Sequence, residues 1–199
     1  TGTDAWEEGD YAIALAGFRD GSNYAVMQHT LPVSAADAVS VVLELNNLTG
    51  QVSTVEFAVT DRLRQRILTL QRITLSDYPD TQDTIRMDLG NIDVSPFGCL
   101  QHGILDRACI QCHGGNGRSA GGLNLTERQA YANLVNHPST LADMLRVKGG
   151  DADSSLVWRI LNEGGENMLH YNHTEVLSSQ FKENLEEVKR FIQDWINGL

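Results

Sequence analysis

The stretch Cys109-Ile110-Gln111-Cys112-His113-Gly114-Gly115 carries two cysteines at positions i and i+3 and a histidine at i+4. On a helical turn, residues three and four apart lie on the same face. Both thiols can therefore reach the vinyl carbons along one edge of a haem, while His113 turns its imidazole onto the iron. The pattern predicts one covalently attached haem c, with Cys109 and Cys112 as attachment points and His113 as an axial ligand.

Two other interpretations of the C-x-x-C pair stay open. A thiol–disulfide site has the same spacing but requires a thioredoxin-like setting, and no βαβ pattern surrounds Cys109. A zinc site needs two further ligands, for which only Cys99, His102 and scattered histidines are available. Three cysteines do not make a disulfide framework, so Cys99 is interpreted as a small buried hydrophobe.

Composition and charge limit the classes of partner. Hydrophobic residues make up 41% of the 199-residue chain, which is ordinary for a globular protein. No run of about 18 apolar residues occurs, so no transmembrane segment is expected. The net charge is −11, and residues 1–100 hold 14 acidic groups against 6 arginines and no lysine. An acidic surface repels phosphate backbones, so nucleic acid is not expected as a partner, whereas basic proteins would be attracted.

The first half of the chain has the pattern of β-structure. Apolar and β-branched runs at residues 11–18, 39–45, 52–59 and 66–75 alternate with turn-forming residues and predict strands. The second and third runs flank an Asn- and Gly-rich loop and predict a hairpin. A helix beginning at Asp61 competes with the fourth strand. Short strands at this spacing predict an all-β antiparallel sandwich.

The pattern changes at a Pro/Gly break near Pro96, which predicts a boundary between a β-domain of residues 1–96 and a helical domain of residues 97–199. Helical periodicities separated by Gly-rich loops follow the break. Thr126 and Gln129 form a capping-box pattern, and Asp153 is a candidate N-cap for a further helix.

The last predicted helix starts near Ser178 or Ser179 and ends before Gly198. Its apolar positions form one stripe, so one face of this helix must be buried. The stripe consists of Phe181, Leu185, Val188, Ile192, Trp195 and Ile196.

From Cys109 to Leu199 the chain resembles a class I-type monohaem cytochrome c domain, in its planctomycete-type form. The matching stretches are the haem motif, Gly121–Leu125, Ala130–Asn136, Leu145–Val147, Gly150–Leu156 and Trp195–Gly198. The resemblance implies an all-α cytochrome c fold and single-electron transfer without bond-making chemistry. The first half resembles no known family.

The second axial ligand of the iron is a separate question, because an electron carrier usually has Met or His at that position. The resemblance implies a methionine in the loop before the last helix, where Met168 lies, although Leu169 stands where the family has proline. His170 and His173 are alternative ligands that would give a lower reduction potential. An open position is the third alternative. Met144 lies in an apolar stretch and is interpreted as a core residue.

A haem also needs apolar surroundings and cationic partners for its propionates. Candidates for the apolar pocket are Leu123, Leu125, Tyr131, Leu134, Val135, Leu141, Leu145, Trp158 and Leu161. Candidates for propionate binding are Arg118, Arg146 and Arg159.

The sequence therefore predicts an electron carrier, not an enzyme, with redox proteins as partners. Haem c is attached outside the cytoplasm, so we expect a periplasmic or cell-surface protein. The chain begins at Thr1, and a removed N-terminal leader would allow a membrane anchor. Two other functions stay open: a β-domain that binds a glycan or a protein with the haem domain as accessory, and a haem-based gas sensor with an open distal position.

Overall fold

The structure, a computed structural model, describes residues 1–6, 10–32, 40–78, 84–115, 119–163 and 171–199. The chain forms two compact units, Thr1–Cys99 and Leu100–Leu199. An antiparallel sheet lies in the first part of the chain and helices in the second, so the structure is mixed α and β. That residues 1–96 and 97–199 are separate domains stays a prediction.

The first unit is built on a sheet that has four antiparallel strands among the described residues, in the order β2-β1-β3-β4. The strands are β1 (Tyr11–Phe18), β2 (Ala25–Thr30), β3 (Thr54–Asp61) and β4 (Arg66–Thr74). Short 3-10 helices, Thr3–Ala5 and Leu75–Asp77, precede β1 and follow β4. The strands predicted at 11–18 and 66–75 are confirmed, and the competing helix from Asp61 is not formed.

The hairpin predicted between residues 39–45 and 52–59 is wrong. β3 pairs with β1 along one edge and with β4 along the other, so it has no edge left for the preceding segment. Residues 40–46 form no strand, and Val42 is 77% exposed. β-branched residues favour a strand only where a partner strand and a buried face are present. The hairpin forms instead between β3 and β4, where the Asp61 carboxylate accepts a hydrogen bond from the N–H of Leu63 at 2.8 Å.

A buried charge lies within the sheet. Glu56 of β3 is 0% exposed, and its carboxylate oxygens lie 3.0 Å from Nε of Arg66 and 2.9 Å from Nε of Arg72. The hydroxyl of Thr69 donates to the same carboxylate at 2.6 Å. The guanidinium carbon of Arg66 lies 4.1 Å from the ring centroid of Phe18. The buried carboxylate therefore has two cationic partners and a neutral donor, which offsets the cost of removing it from water.

From Pro96 onward the described chain is helical with intervening loops. The helices are α1 (Pro96–Leu100), a π-helix (Gln101–Cys109), α2 (Ile110–His113), α3 (Ala130–Leu134), α4 (Leu156–Glu163), α5 (His173–Gln180) and α6 (Leu185–Asn197). A 3-10 helix, Ala120–Gly122, lies between α2 and α3. α4 packs against α5 and α6, and the π-helix packs against α5 and continues directly into α2.

Two helix starts differ from the prediction. The Thr126 hydroxyl donates to Oδ1 of Asn124 at 2.8 Å, and α3 begins one turn later, so the capping box is not formed. Before α4 the carboxylate of Asp151, not that of Asp153, accepts the N–H of Ser154 at 3.0 Å. In both places an Asn or Asp side chain forms a local turn that competes with helix initiation.

The last helix begins later than predicted: Ser178 and Ser179 belong to the end of α5, and α6 starts at Leu185, because Asn184 before it has non-helical dihedral angles (φ −143°, ψ 31°). The apolar stripe is nevertheless present on α6. Its buried members on α6 are Val188, Ile192, Trp195 and Ile196, and Phe191, which the prediction left out, is buried beside them. This face packs the helix into the core of the second unit.

Candidate haem site

The C-x-x-C-H motif lies where two helical segments meet. Cys109 is the last residue of the π-helix, and Cys112 and His113 are the last two residues of α2. All three cysteines of the chain have free thiols, with Cys112 exposed and Cys109 partly exposed. π-helical segments are rare and frequently occur at functional sites. The two thiols and the imidazole thus come from a single helical stretch.

The imidazole of His113 is oriented by the loop that contains residues 123–125. Its Nδ1 lies 3.2 Å from the carbonyl oxygen of Leu123, and because a carbonyl oxygen only accepts, Nδ1 donates. The N–H of Leu125 donates to the carbonyl of His113 at 2.7 Å. A neutral imidazole that donates from Nδ1 has its lone pair on Nε2, as a metal-ligating histidine does.

Gln101, which sequence reasoning missed, braces this loop. It is 1% exposed in the π-helix, and its Nε2 donates to the carbonyl of Leu125 at 3.0 Å and to the carboxylate of Asp106 at 2.7 Å. Because Leu125 is also bonded to His113, the amide supports the segment that orients the imidazole. The sequence feature that could have pointed to a buried Gln101 is its i,i+4 spacing to Leu105, which places both residues on one helical face.

Replacing Gln101 with leucine is expected to lower the free energy of unfolding by about 1–3 kcal/mol, because two buried or partly buried acceptors lose their donor. Urea unfolding followed by far-UV circular dichroism measures the change. The exposed Gln129 provides the control, and Gln129→Ala is expected to stay within about 0.5 kcal/mol of the wild type. Equal stability of Gln101→Leu and the wild type would show that the loop does not depend on this amide.

His173 lies opposite His113. The two ring centroids are 6.5 Å apart, and the ring planes are 24° from parallel. Nδ1 of His173 lies 3.2 Å from the carbonyl oxygen of Tyr171, so this ring too donates from Nδ1 and has its lone pair on Nε2. The ring of Tyr171 packs edge-on against it, with centroids 5.2 Å apart. Burial lowers the pKa of His173; the bond to Tyr171 opposes this effect, and the electrostatic influence of the nearby His113 adds to it.

Cys109 and Cys99 have the properties of neutral thiols removed from water. Burial raises the pKa of Cys109 to about 12, and Cys112 and Asp106 act in the same direction. Burial also raises the pKa of Cys99, which is 0% exposed. Cys109 is therefore a protonated thiol at neutral pH. A reactive thiol–disulfide site needs the opposite shift.

Among the candidates for the second axial ligand, the structure describes only His173. Met168 and His170 lie outside the described residues, so their roles stay predictions. The sulfur of Met144 lies 3.8 Å from a guanidinium nitrogen of Arg159. His173 is thus the one candidate among the described residues that the structure brings to His113.

The predicted pocket residues differ in exposure. Leu125 and Leu134 are 4% and 3% exposed, whereas Tyr131 and Leu141 are 48% and 58% exposed. The other five are half-buried: Leu123, Val135, Leu145, Trp158 and Leu161. Tyr131 and Leu141 therefore present apolar surface that a bound group could cover.

Two of the arginines proposed for propionate binding have protein partners. Arg146 is 4% exposed and donates to the carbonyl of Asn133 at 2.9 Å. Arg159 lies 3.5 Å from the carboxylate of Glu163. Arg118 lies outside the described residues. Arg146 is therefore interpreted as a structural residue, since its guanidinium is bonded within the fold.

The described part of the chain contains no group of three or more His, Cys, Asp or Glu side chains placed to hold a metal ion. His102, one of the residues considered for zinc, lies 3.4 Å from the carboxylate of Asp106 instead. Within the same residues, every helix is too short or too polar to cross a membrane.

Comparison with known proteins yields no match: no protein family, no curated protein and no solved structure corresponds to the chain. The class of the site therefore has to be argued from the motif and its geometry.

Proposed function

We propose that the chain is a c-type cytochrome, an electron carrier that holds one haem c through Cys109 and Cys112 with His113 as an axial iron ligand. The observation that carries this proposal is the 3.2 Å hydrogen bond between Nδ1 of His113 and the carbonyl of Leu123. It leaves Nε2 as the coordinating nitrogen, next to two free thiols on the same helical stretch.

The residues of the site fit haem c in their chemistry. Cys109 and Cys112 would hold the haem by adding their S–H groups across its two vinyl groups, with sulfur bonded to one carbon and hydrogen to the other, and no oxidant would be consumed. When bound, the haem supplies a one-electron change between ferric and ferrous iron. The electron comes from a reduced partner protein and passes to an oxidised one, so the chain makes and breaks no bonds of a substrate. It is therefore proposed not to be an enzyme.

A thiol–disulfide function fits the same cysteines less well. Thiol exchange needs a thiolate, and reactive C-x-x-C pairs have a lowered pKa. Burial instead raises the pKa of Cys109 to about 12. Addition to a vinyl group leaves both sulfurs uncharged, which suits a partly buried position.

The proposal extends to the fold. We assign residues 97–199 to an all-α, class I-type cytochrome c domain and residues 1–96 to an antiparallel β-sandwich. In support, α2 to α6 lie entirely within residues 97–199, and β1 to β4 lie within residues 1–96. The haem motif and the opposing histidine both lie in the helical part.

The net charge of −11 favours redox partners with basic surfaces and disfavours nucleic acid. Because haem c is attached outside the cytoplasm, we place the protein in the periplasm or at the cell surface.

A gas sensor needs an open distal position, and the placement of His173 opposite His113 disfavours that function. A binding role for the sheet stays a prediction.

The test is the double variant Cys109→Ala/Cys112→Ala, made in cells that contain haem-attachment machinery. Acid acetone is expected to extract all haem from the variant and none from the wild type, because thioether bonds survive this treatment. Haem staining on a denaturing gel and the intact mass of the chain provide the measurements.

Cys99→Ala is the matched control, because it removes the remaining, buried thiol. It is expected to keep the haem covalently bound. Covalent haem in the double variant, or a wild-type chain that never acquires haem under these conditions, would contradict the proposed function.

A further inference from the structure

The spacing of His113 and His173 is that of two ligands on opposite sides of one metal ion. A bond from a first-row metal ion to an imidazole nitrogen is about 2.0 Å long, and that nitrogen lies about 1.1 Å from the ring centroid, so two such rings have centroids roughly 6.2 Å apart. The observed separation is 6.5 Å. Each ring donates from Nδ1 to a backbone carbonyl, which leaves both Nε2 atoms as acceptors.

Direct packing of the two rings is the alternative account of this arrangement. Aromatic pairs have centroids about 4.5–7 Å apart, and 6.5 Å at 24° from parallel lies in the upper part of that range. Packing alone does not account for the feature that the two rings share, because each Nδ1 donates to a backbone carbonyl and leaves Nε2 as the nitrogen able to coordinate.

The position of His173 is determined by well-formed local structure. His173 is the first residue of α5, and Oδ1 of Asn172 caps this helix by accepting from the N–H and the hydroxyl of Thr174 at 3.1 Å and 2.6 Å. α5 packs against the π-helix that ends at Cys109. Helix packing thus brings His173 to the haem motif.

We infer that His173, in place of Met168, is the second axial ligand of the haem, so that two histidines bind the iron. This inference rests on the proposed function, because it requires the haem to be attached. Two histidines give a lower reduction potential than His with Met. The redox partners would accordingly be proteins that work at low potential.

The first measurement is the absorption spectrum of the ferric, full-length wild type. We expect a low-spin spectrum without the sulfur-to-iron charge-transfer band. The presence of that band, or a high-spin spectrum, would overturn the inference, and this result does not depend on any variant folding.

The second measurement compares His173→Ala, Met168→Ala and His170→Ala. Only His173→Ala is expected to become high-spin, to bind carbon monoxide when reduced, and to regain a low-spin spectrum with added imidazole. His173→Met is expected to restore a low-spin iron with the sulfur band and to raise the potential. His137→Ala, at an exposed histidine, is the matched control and should match the wild type.

The outcomes separate the two proposals. A wild type without covalent haem overturns the proposed function. If the haem is covalently bound but its spectrum and potential change in Met168→Ala or His170→Ala and not in His173→Ala, the assignment of His173 as ligand is overturned. The proposed function then still stands. If His173→Ala does not fold by circular dichroism, the wild-type spectrum and His173→Met decide the question.

Discussion

Glu56→Ala is expected to lower the free energy of unfolding by about 3–5 kcal/mol, the cost of breaking a buried ion pair by removing one partner. The variant leaves Arg66, which is 7% exposed, without its carboxylate partner at 3.0 Å. Thr69 loses its acceptor in the same step. Because β3 lies between β1 and β4, the loss falls on the centre of the sheet.

Urea unfolding of the full chain, followed by far-UV circular dichroism, measures the effect of Glu56→Ala. Glu44→Ala removes an exposed glutamate and is the control, with an expected change within about 0.5 kcal/mol. Glu56→Gln is expected to fall between these two, because the amide can still accept from Thr69 but carries no charge. If Glu56→Ala were as stable as Glu44→Ala, the carboxylate would contribute nothing net to the sheet.

Phe191→Ala is expected to cost about 3–5 kcal/mol of stability, the range for removing a buried aromatic ring and leaving a cavity. Phe191 is 2% exposed on the buried face of α6. α6 packs against α4, which in turn packs against the helix that begins at His173. The variant therefore weakens the packing that supports the histidine pair.

The control for Phe191→Ala is Glu186→Ala on the same helix. The Glu186 side chain is 80% exposed, and its carboxylate lies 3.6 Å from Nζ of Lys189. An ion pair whose carboxylate is solvent-exposed contributes about 0–1 kcal/mol, so this variant should unfold close to the wild type. Thermal unfolding provides an independent measurement, and a Phe191→Ala midpoint equal to that of Glu186→Ala would contradict the buried role of the ring.

Local features of the structure could be predicted because their causes lie close together in the chain. The strands at 11–18 and 66–75 follow from short apolar and β-branched runs, and the stripe on α6 follows from helical periodicity. The break between α5 and α6 could not be predicted in the same way. The continuous apolar pattern through Phe181 gives no sign of the non-helical conformation at Asn184.

Strand pairing shows the same limit. Residues 39–45 have the composition of a strand, yet residues 40–46 form none, because β1 and β4 occupy both edges of β3. The composition of a segment indicates which secondary structure it can adopt. Whether it joins a sheet depends on whether a neighbouring strand still has an unpaired edge. The burial of Glu56 has the same origin, since its cationic partners come from β4.

At the candidate site, the sequence by itself determined the residues of the candidate attachment motif, because Cys109, Cys112 and His113 are related by the spacing of one helical turn. Only the tertiary structure decided how His113 is oriented, through the carbonyl of Leu123, and which side chain faces it. His173 stands 60 positions further along the chain, and no local pattern distinguishes it from Met168 or His170. The packing of α5 on the π-helix brings His173 to His113, since side chains that are distant in sequence meet only when helices pack.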